Sequence, residues 1–323
     1  MKQAFASKAR FALAPPAMTK TLTIGTRGSP LALAQARMVA AALEEAHGWE
    51  AGSVGIVPVK TSGDRIQDRP LAEVGGKALW TKELDVALLA GETDCSVHSM
   101  KDVESERPAS LMIAAMLPRA DVRDRLIGSE SIARLPQGAV VGTSSPRRAA
   151  QLKRLRPDLV TVSIRGNVDT RLSKLQGGEV DATLLAAAGL DRLDRPDTGH
   201  PIDTAEMLPA PAQGAIGIEC RSDDAMTAAL IAAIDDPATH SAVLAERAFT
   251  RALGGTCHSP VGALARVESS EILFAGEILS ADGRDRIAEQ ARFPVGDLDA
   301  PAALGRRMIA DAPASIRILF EGR

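Results

Sequence analysis

Two stretches of this chain share one pattern: an apolar run ends in Gly-Thr, a tight polar loop follows, and Ser-Pro comes before helix-forming residues. They are GTRGSPLALAQ at 25–35 and GTSSPRRAAQ at 142–151. Serine is a preferred N-cap and proline a preferred first helical residue, so we predict that Ser29 and Ser145 cap helices. A strand that passes through a short loop into a helix is the repeating unit of α/β folds, and two such units favour that class.

Predicted strands and helices alternate from Thr21 onward. The strand patterns are TLTIG, GIVPVK, DCSVHSM, AVVG, VTVSIRG and VDATLLAAAG, and helical patterns separate most of them. The alternation predicts parallel sheets covered by helices, and it starts again after LPRADVRD. We therefore expect two similar doubly wound domains of periplasmic-binding-protein-like type, which comprise residues 20–117 with 215–234 and residues 118–214.

The pattern changes after Pro237. A helical pattern over 241–255 precedes three strand patterns, GALARV, EILFAGEILS and RIAEQARF, which short turns join, and a last helix follows them. We expect a small α+β C-terminal domain with a three-stranded sheet over residues 235–323. The chain should cross between the first two domains near residues 118 and 210.

Composition excludes several classes of protein. The chain of 323 residues has a net charge of −3, 2% aromatic residues and no tyrosine, which argues against stacking on single-stranded nucleic acid and against a basic DNA-binding surface. No apolar run approaches the ~18 residues of a membrane span. The three cysteines are far apart, without CxxC or HExxH, so we expect no metal site and a reducing, cytoplasmic location.

The first eighteen residues, MKQAFASKARFALAPPAM, are basic and contain no acidic residue. A signal peptide needs a longer apolar stretch than FALA, and a transit peptide usually carries more Arg and Ser. We expect residues 1–19 to be a disordered N-terminal extension, with Met18 as an alternative start.

Arginines cluster beside the two predicted helix starts. Arg27 lies in the first polar loop, and Arg147 and Arg148 follow Ser145-Pro146 in the second. A helix N-terminus already carries partial positive charge, so arginines there are unfavourable unless an anion receives them. Arg165 and Arg171 add charge after a later strand pattern. Two anion sites at the carboxyl ends of strands predict a cleft that holds a polyanion.

The segment SVHSMKDV ends a predicted strand with Ser99, Lys101 and Asp102. At that end of a strand a carboxylate can stabilise a developing cation and transfer a proton. We expect His98 to pack or to form a hydrogen bond rather than to act on a substrate.

Cys257 differs from the other two cysteines because it lies in a glycine-rich loop, LGGTCHSPVG. Cys95 and Cys220 fall inside strand patterns, as core cysteines do. An exposed loop thiolate suits covalent attachment. The adjacent His258 suggests a cysteine protease, but the partners in such enzymes normally come from separate segments.

Residues 61–78 are charged, glycine-bearing and without periodicity, which is long for a connection. They form either a disordered loop or an active-site lid.

Together these motifs resemble the porphobilinogen deaminase family. The resemblance covers nearly the whole chain from about Thr21 and includes TRGSPLALAQ, PLAEVGGKALWTKELDVALL, VHSMKDV, GTSSPRR, RGNVDTRLSKL, PAQGAIGIECR and the cysteine loop. It implies an enzyme of tetrapyrrole biosynthesis that joins four porphobilinogen molecules head to tail, releases ammonia from each, and releases hydroxymethylbilane with water. It also implies a dipyrromethane cofactor that is thioether-linked to a loop cysteine.

The resemblance assigns roles to residues of this chain. Cys257 carries the cofactor, and Asp102 is catalytic and contacts the cofactor. The other implied cofactor-binding residues are Ser99, Lys101, Thr143, Ser144, Ser145, Arg147, Arg148 and Arg165. The implied substrate-binding residues are Arg27, Ser29, Lys77, Trp80, Arg165, Arg171 and Gln213.

The chain departs from the family pattern at two places. Thr256 separates Gly254-Gly255 from the cysteine, and Glu73 stands where some members have lysine. A two-domain anion-binding receptor without catalysis is the alternative, but it requires a secretion signal and has no use for Cys257 or Asp102. A thiol hydrolase is a third option that lacks a plausible base. We expect a monomer that binds neither nucleic acid nor membrane.

Overall fold

The structure is a computed structural model, and it describes residues 21–61, 80–256 and 258–320. Within these ranges the chain forms two five-stranded sheets and one three-stranded sheet. The first sheet has the order β2-β1-β3-β10-β4 and the second the order β7-β6-β8-β5-β9. The strands are β1 (Leu22–Arg27), β2 (Val54–Val59), β3 (Cys95–Ser99), β4 (Leu111–Met116), β5 (Asp124–Ile127), β6 (Val140–Gly142), β7 (Val160–Val162), β8 (Ala182–Ala186), β9 (His200–Pro201), β10 (Ile216–Arg221), β11 (Val261–Glu268), β12 (Glu271–Leu279) and β13 (Arg286–Pro294).

Helices cover these sheets, and the two Ser-Pro helix starts are confirmed. Ser29 Oγ accepts a hydrogen bond from Ala32 N at 3.3 Å, and Ser145 Oγ accepts one from Arg148 N at 3.4 Å. None of the helices in the described ranges is long and apolar enough to cross a bilayer. The helices are α1 (Pro30–His47), α2 (Lys82–Leu89), α3 (Pro146–Leu155), α4 (Val168–Gln176), α5 (Ala187–Asp191), α6 (Ala225–Ala232), α7 (Pro237–Ala252), α8 (Asp299–Ala310) and α9 (Ala314–Arg317).

The prediction of two α/β units is confirmed, and their sheets are mixed rather than wholly parallel. In the first sheet β10 runs antiparallel to β3 and β4, and in the second β5 runs antiparallel to β8 and β9. These are the strands that follow the two crossings, since the chain leaves the first sheet after β4 and returns to it at β10. After each crossing, the chain enters the receiving sheet at the carboxyl end of a neighbouring strand. The first strand after the crossing is therefore antiparallel to that neighbour.

Two strand predictions were too long. The pattern over 160–166 forms a strand only as far as Val162, and that over 180–189 becomes helix α5 after Ala186. The second run, AAAGL, is rich in alanine, which favours helix over strand once the sheet edge is passed. Strands β4, β5 and β9 and helix α6 were not predicted.

The third sheet is antiparallel, with the order β11-β12-β13, as expected for the C-terminal α+β domain. Helices α7 and α8 pack on it, and Phe249 of α7 is fully buried against Phe274 of β12. Burial of this apolar face supplies the core of the domain.

A buried ion pair joins the crossings to the third sheet. The Arg119 guanidinium binds both carboxylate oxygens of Glu246 at 2.8 and 2.9 Å. The same carboxylate, which is fully buried, accepts hydrogen bonds from Ala212 N in the second crossing and from Ala265 N of β11. One carboxylate therefore fixes both crossings and the third sheet relative to one another.

Candidate active site

A cleft of about 1730 Å³ lies where the carboxyl ends of β1, β3 and β6 meet helix α7 of the C-terminal domain. Its lining comes from all three parts of the chain: the loops after the strands of the two large sheets, and the residues at the end of α7. The following predicted site residues line it: Arg27, Ser29, Trp80, Ser99, Lys101, Asp102, Ser144, Ser145, Arg147, Arg148, Arg165, Arg171 and Gln213.

One described residue of the prediction, Thr143, does not line the cleft. Thr143 is buried, and its Oγ1 accepts a hydrogen bond from Ser145 N at 3.2 Å. Lys77 and Cys257 lie outside the described residues, as does nearly all of the predicted loop at 61–78.

Asp102 reaches the cleft on a short 3-10 turn, Met100–Asp102, that directly follows β3. Met100 is buried beneath the turn, and a Cβ at Gly217 of β10 would lie only 2.1 Å from its sulfur. This close approach requires glycine at position 217 and holds the turn against the sheet. Within the described residues no hydrogen bond or ion pair engages the Asp102 carboxylate, which leaves it available to a ligand.

Lys101 is the cation next to Asp102, and no described residue forms an ion pair with it. Burial lowers the pKa of Lys101 to about 8, and the charges of Arg148 and Arg147 contribute to the decrease. The Asp102 carboxylate opposes the shift. An ammonium group in this position gains from an anionic ligand, since the ligand would compensate for the desolvation.

The paired arginines Arg147 and Arg148 are buried, and they have an internal partner. Arg147 Nη2 and Arg148 Nη2 donate to the two oxygens of Asp124, the first residue of β5, at 2.8 and 2.6 Å. Gln213 Nε2 donates to the same carboxylate at 2.8 Å. Asp124 therefore compensates for one of the two positive charges. For that charge, the expectation that the arginines need an external anion is wrong.

The charges in this cluster remain unequal. Burial alone would raise the pKa of Asp124, but Arg147 and Arg148 outweigh that effect and hold it well below its ordinary value. One carboxylate faces two guanidinium groups, and the buried Nε atoms of both arginines have no partner within the described residues. Buried donors of this kind are normally satisfied, so the wall of the cleft is short of hydrogen-bond acceptors.

Two further arginines of this wall, Arg171 and Arg192, are desolvated. Burial lowers the pKa of Arg171 to about 10, with the charge of Arg148 adding to the effect, and burial also lowers the pKa of Arg192 to about 10. The Nε of Arg192 is buried without a partner among the described residues. A ligand with several carboxylates would relieve these shortages, so this wall fits a polyanionic group such as a dipyrromethane.

Arg27 and Trp80 form the opposite wall. The Arg27 guanidinium lies over the Trp80 ring at 3.9 Å from its centroid, a cation–π arrangement. Across the cleft, Arg171 Nε donates to Gly166 O, and Asn167 caps α4 through Thr170 N. These local contacts fix Arg171 at the start of α4, close enough to Asp102 for the two charges to interact.

The hydroxyl groups that line the cleft also have protein partners. Ser99 and Gln35 exchange hydrogen bonds at 2.8 and 3.1 Å, and Ser144 Oγ donates to Ile164 O. A hydroxyl group both donates and accepts, so these contacts do not prevent either serine from binding a ligand.

The sequence did not single out several polar residues that line the cleft, among them Gln35, Arg192 and Arg247. Arg247 of α7 donates to Val103 O and Glu104 O, so it holds the main chain that follows Asp102. Arg192 follows β8 and α5, and its position at the carboxyl end of a predicted strand was a usable signal. Gln35 and Arg247 lie inside helices, where nothing in the sequence distinguishes them.

A buried polar cluster lies beside the Met100–Asp102 turn. His98 Nε2 is 3.1 Å from Glu219 Oε2, which confirms the expected hydrogen-bonding role of His98. Arg107 binds both oxygens of Glu219 at 2.8 Å and Asp85 at 2.5 Å. Burial would raise the pKa of Glu219, but the hydrogen bonds from His98 and Arg107 outweigh it and lower this pKa to about 2. Within the described residues, no group of three or more His, Cys, Asp or Glu side chains could hold a metal ion.

This pKa predicts how Glu219 contributes to stability as pH falls. Because the folded pKa of about 2 is below the ordinary 4.5, the contribution is complete above pH 4.5 and is lost as pH falls toward 2. At about 1.4 kcal/mol per pKa unit, the contribution is roughly 3 kcal/mol. We expect Glu219→Gln to lower the free energy of unfolding near neutral pH, with the difference from wild type shrinking toward pH 2. Urea unfolding at a series of pH values measures this, and a difference that stays constant with pH would contradict it.

The sequence matches two family models over most of its length. Residues 22–229 match "Porphobilinogen deaminase, dipyromethane cofactor binding domain", and residues 240–312 match "Porphobilinogen deaminase, C-terminal domain". A solved periplasmic substrate-binding protein of an ABC transporter from Coxiella burnetii is 15% identical, with a TM-score of 0.41 over 71% of this chain and 95% of that chain. That likeness is too weak to support an assignment of fold or ligand.

Relatives named porphobilinogen deaminase are similar along almost their whole length. The protein from Sphingopyxis alaskensis is 59% identical over 93% of this chain and 96% of its own. Those from Paracoccus denitrificans and Nitrobacter winogradskyi are 50% and 51% identical, over 85% and 87% of this chain and 89% and 91% of their own. With both family models and relatives of this identity in agreement, the chain belongs to the porphobilinogen deaminase family.

Proposed function

We propose that this chain is a hydroxymethylbilane synthase, a transferase of tetrapyrrole biosynthesis. It joins four porphobilinogen molecules head to tail, releases ammonia from each, and releases hydroxymethylbilane by hydrolysis. The observation that carries the proposal is the Asp102 carboxylate, which forms no hydrogen bond or ion pair with any described residue, in a cleft whose buried cations lack full compensation. A binding protein for anions has no need of that carboxylate.

The cations suit the substrate because every pyrrole carries an acetate and a propionate group. Arginine pairs carboxylates through two parallel hydrogen bonds, and helix N-termini receive further anionic oxygens. We assign the cofactor carboxylates to Lys101, Arg147, Arg148 and Arg165, with hydrogen bonds from Ser99, Thr143, Ser144 and Ser145. The substrate is assigned to Arg27, Ser29, Lys77, Trp80, Arg165, Arg171 and Gln213.

Asp102 stabilises positive charge at the reacting carbon. The bond from the aminomethyl carbon to nitrogen breaks, ammonia leaves with the electron pair, and the pyrrole becomes cationic; a carboxylate beside its ring nitrogen favours that state. A new carbon–carbon bond then forms at this carbon, and the proton displaced from the attacking ring carbon leaves with Asp102 as its acceptor. When bound, a dipyrromethane supplies the pyrrole end from which the chain grows.

Cys257 is the proposed attachment point of the dipyrromethane. Burial raises the pKa of Cys95 well above its ordinary value, and burial together with nearby Asp224 raises that of Cys220 to about 11. Both thiols are buried in β3 and β10, so neither provides a reactive thiolate. We further propose that the enzyme acts in the cytoplasm as a monomer, and that it binds neither nucleic acid nor membrane.

The intact mass of freshly purified, active protein tests this proposal. We expect the wild type to exceed its sequence mass by a dipyrromethane adduct of two pyrrole units. Cys257→Ser should have the unmodified mass, whereas Cys220→Ala, the matched control, should keep the adduct. An unmodified mass in active wild-type protein would overturn the cofactor assignment. Binding of porphobilinogen without release of ammonia would instead support the receptor alternative.

A further inference from the structure

Arg107 lines the cleft at its edge with the first sheet, and its side chain is extensively hydrogen-bonded. Its side chain is 8% exposed, and its guanidinium group donates to three carboxylates and one hydroxyl. In addition to Glu219 and Asp85, Nη1 donates to Glu104 Oε2 and to Thr81 Oγ1, each at 3.2 Å. The planar fork of an arginine holds several acceptors in one fixed geometry.

These acceptors lie on separate parts of the fold. Glu219 belongs to β10, Asp85 to α2, and Thr81 directly precedes α2. Glu104 lies two residues after Asp102 in the loop that leaves the catalytic turn. Thr81 Oγ1 also donates to Glu104 Oε2 at 3.1 Å, so Arg107, Thr81 and Glu104 are mutually hydrogen-bonded.

This triangle of hydrogen bonds connects two groups of the proposed site. On one side Thr81 is the chain neighbour of Trp80, whose ring packs on the Arg27 guanidinium. On the other side Glu104 is two residues from Asp102, and Arg247 donates to the main-chain carbonyls of Val103 and Glu104. The bond to Glu219 fixes the triangle to β10, an interior strand of the first sheet.

We propose that Arg107 is a positioning residue that sets the placement of Asp102 relative to Trp80 and Arg27. Catalytic groups must be held within a fraction of an ångström of their productive geometry, and charge-assisted hydrogen bonds to buried carboxylates provide such a hold. Arg107 does not act on substrate; it acts through Glu104 and Thr81. The expected fall in kcat rests on the proposed function. The change in the surroundings of Trp80 does not, and it is measured separately.

Arg107→Lys tests the proposal because it keeps a positive charge among the three carboxylates but cannot bridge Glu219 to Thr81 and Glu104. Arg221→Lys is the matched control. Arg221 is the last residue of β10 and, like Arg107, binds α2. It does so at the other end of that helix, through Leu88 O at 2.9 Å and through Thr93 O beyond it. If the loss of activity came only from weaker attachment of helix α2 to the sheet, it would appear in both variants.

We expect kcat to fall about ten-fold in Arg107→Lys, with KM within about two-fold of wild type, because misplacement acts on the reacting groups. Thr81→Val breaks the triangle without touching the buried ion pairs, and kcat should fall about three-fold. Arg221→Lys should stay within about two-fold of wild type in kcat. If Arg107→Lys fails to fold, Thr81→Val alone tests whether the triangle of hydrogen bonds positions Asp102.

Trp80 fluorescence gives a readout that does not depend on turnover. The chain has two tryptophans, so in a Trp49→Phe background Trp80 is the only indole. Its emission should shift to longer wavelength in Arg107→Lys and Thr81→Val, but not in Arg221→Lys. Unchanged kcat and emission in the first two variants, or an equal loss in all three, would overturn the proposal. A wild type that releases no ammonia from porphobilinogen would contradict the proposed function, while the emission test would still report on Arg107.

Discussion

In the Asp102→Asn variant, kcat for porphobilinogen is expected to fall by about 10³-fold, which is the scale of losing a group that stabilises charge and accepts a proton. Asparagine has the shape of aspartate but neither its negative charge nor its basicity. Since no described residue bonds to the Asp102 carboxylate, the fold does not depend on it. Ammonia release measures turnover, and thermal unfolding followed by circular dichroism should match that of the wild type.

Asp169→Asn is the matched control for this variant. Asp169 also lines the cleft, but it is exposed and pairs with Arg195 at 2.6 Å. Loss of an exposed ion pair is worth little, so kcat should remain within about two-fold of wild type. The intact mass of each variant establishes whether the cofactor is attached, which separates a catalytic loss from a loss of loading. Full activity in Asp102→Asn would remove Asp102 from the catalytic role.

Local signals in the sequence predicted the features that local interactions decide. The Ser-Pro helix starts depend on residues within three positions of one another, and the structure has both caps. The C-terminal sheet was predicted correctly because its strands are consecutive and short turns join them. Asp102 was correctly predicted to follow a strand, because the strand pattern lies directly before it in the sequence.

Features that depend on distant residues were not predicted. The sequence places Arg147 and Arg148 at a helix start, but their partner Asp124 lies more than twenty residues earlier, on a strand that was not recognised. Similarly, the partners of Arg107 include Glu219, on a strand reached only after both crossings. Pairing across a sheet depends on topology, and a single sequence contains no signal for which strands become neighbours.

Asp124 is the residue whose loss should most disturb this part of the site. Its carboxylate is fully buried between two guanidinium groups, and Gln213 is a third donor to it. Removing one partner of a buried charge cluster leaves the others uncompensated, so Asp124→Ala should lower the free energy of unfolding by about 3–5 kcal/mol. Urea unfolding at neutral pH measures this. Asp121→Ala is the control, and it should lose far less because Asp121 and its partner Arg123 are partly exposed to solvent.

Asp124→Asn should separate the structural role of this carboxylate from its effect on the cofactor. The amide oxygen still accepts one hydrogen bond, so the variant should fold, but Arg147 and Arg148 lose their common anion and their fixed orientation. Since the pKa of Asp124 is well below its ordinary value, the stability difference from wild type should persist at neutral pH and narrow only as pH falls below about 4. If the two arginines bind the cofactor carboxylates, intact mass should show a smaller fraction of protein with the dipyrromethane adduct. A folded Asp124→Asn variant with complete loading would mean that the orientation set by Asp124 is not required for cofactor attachment.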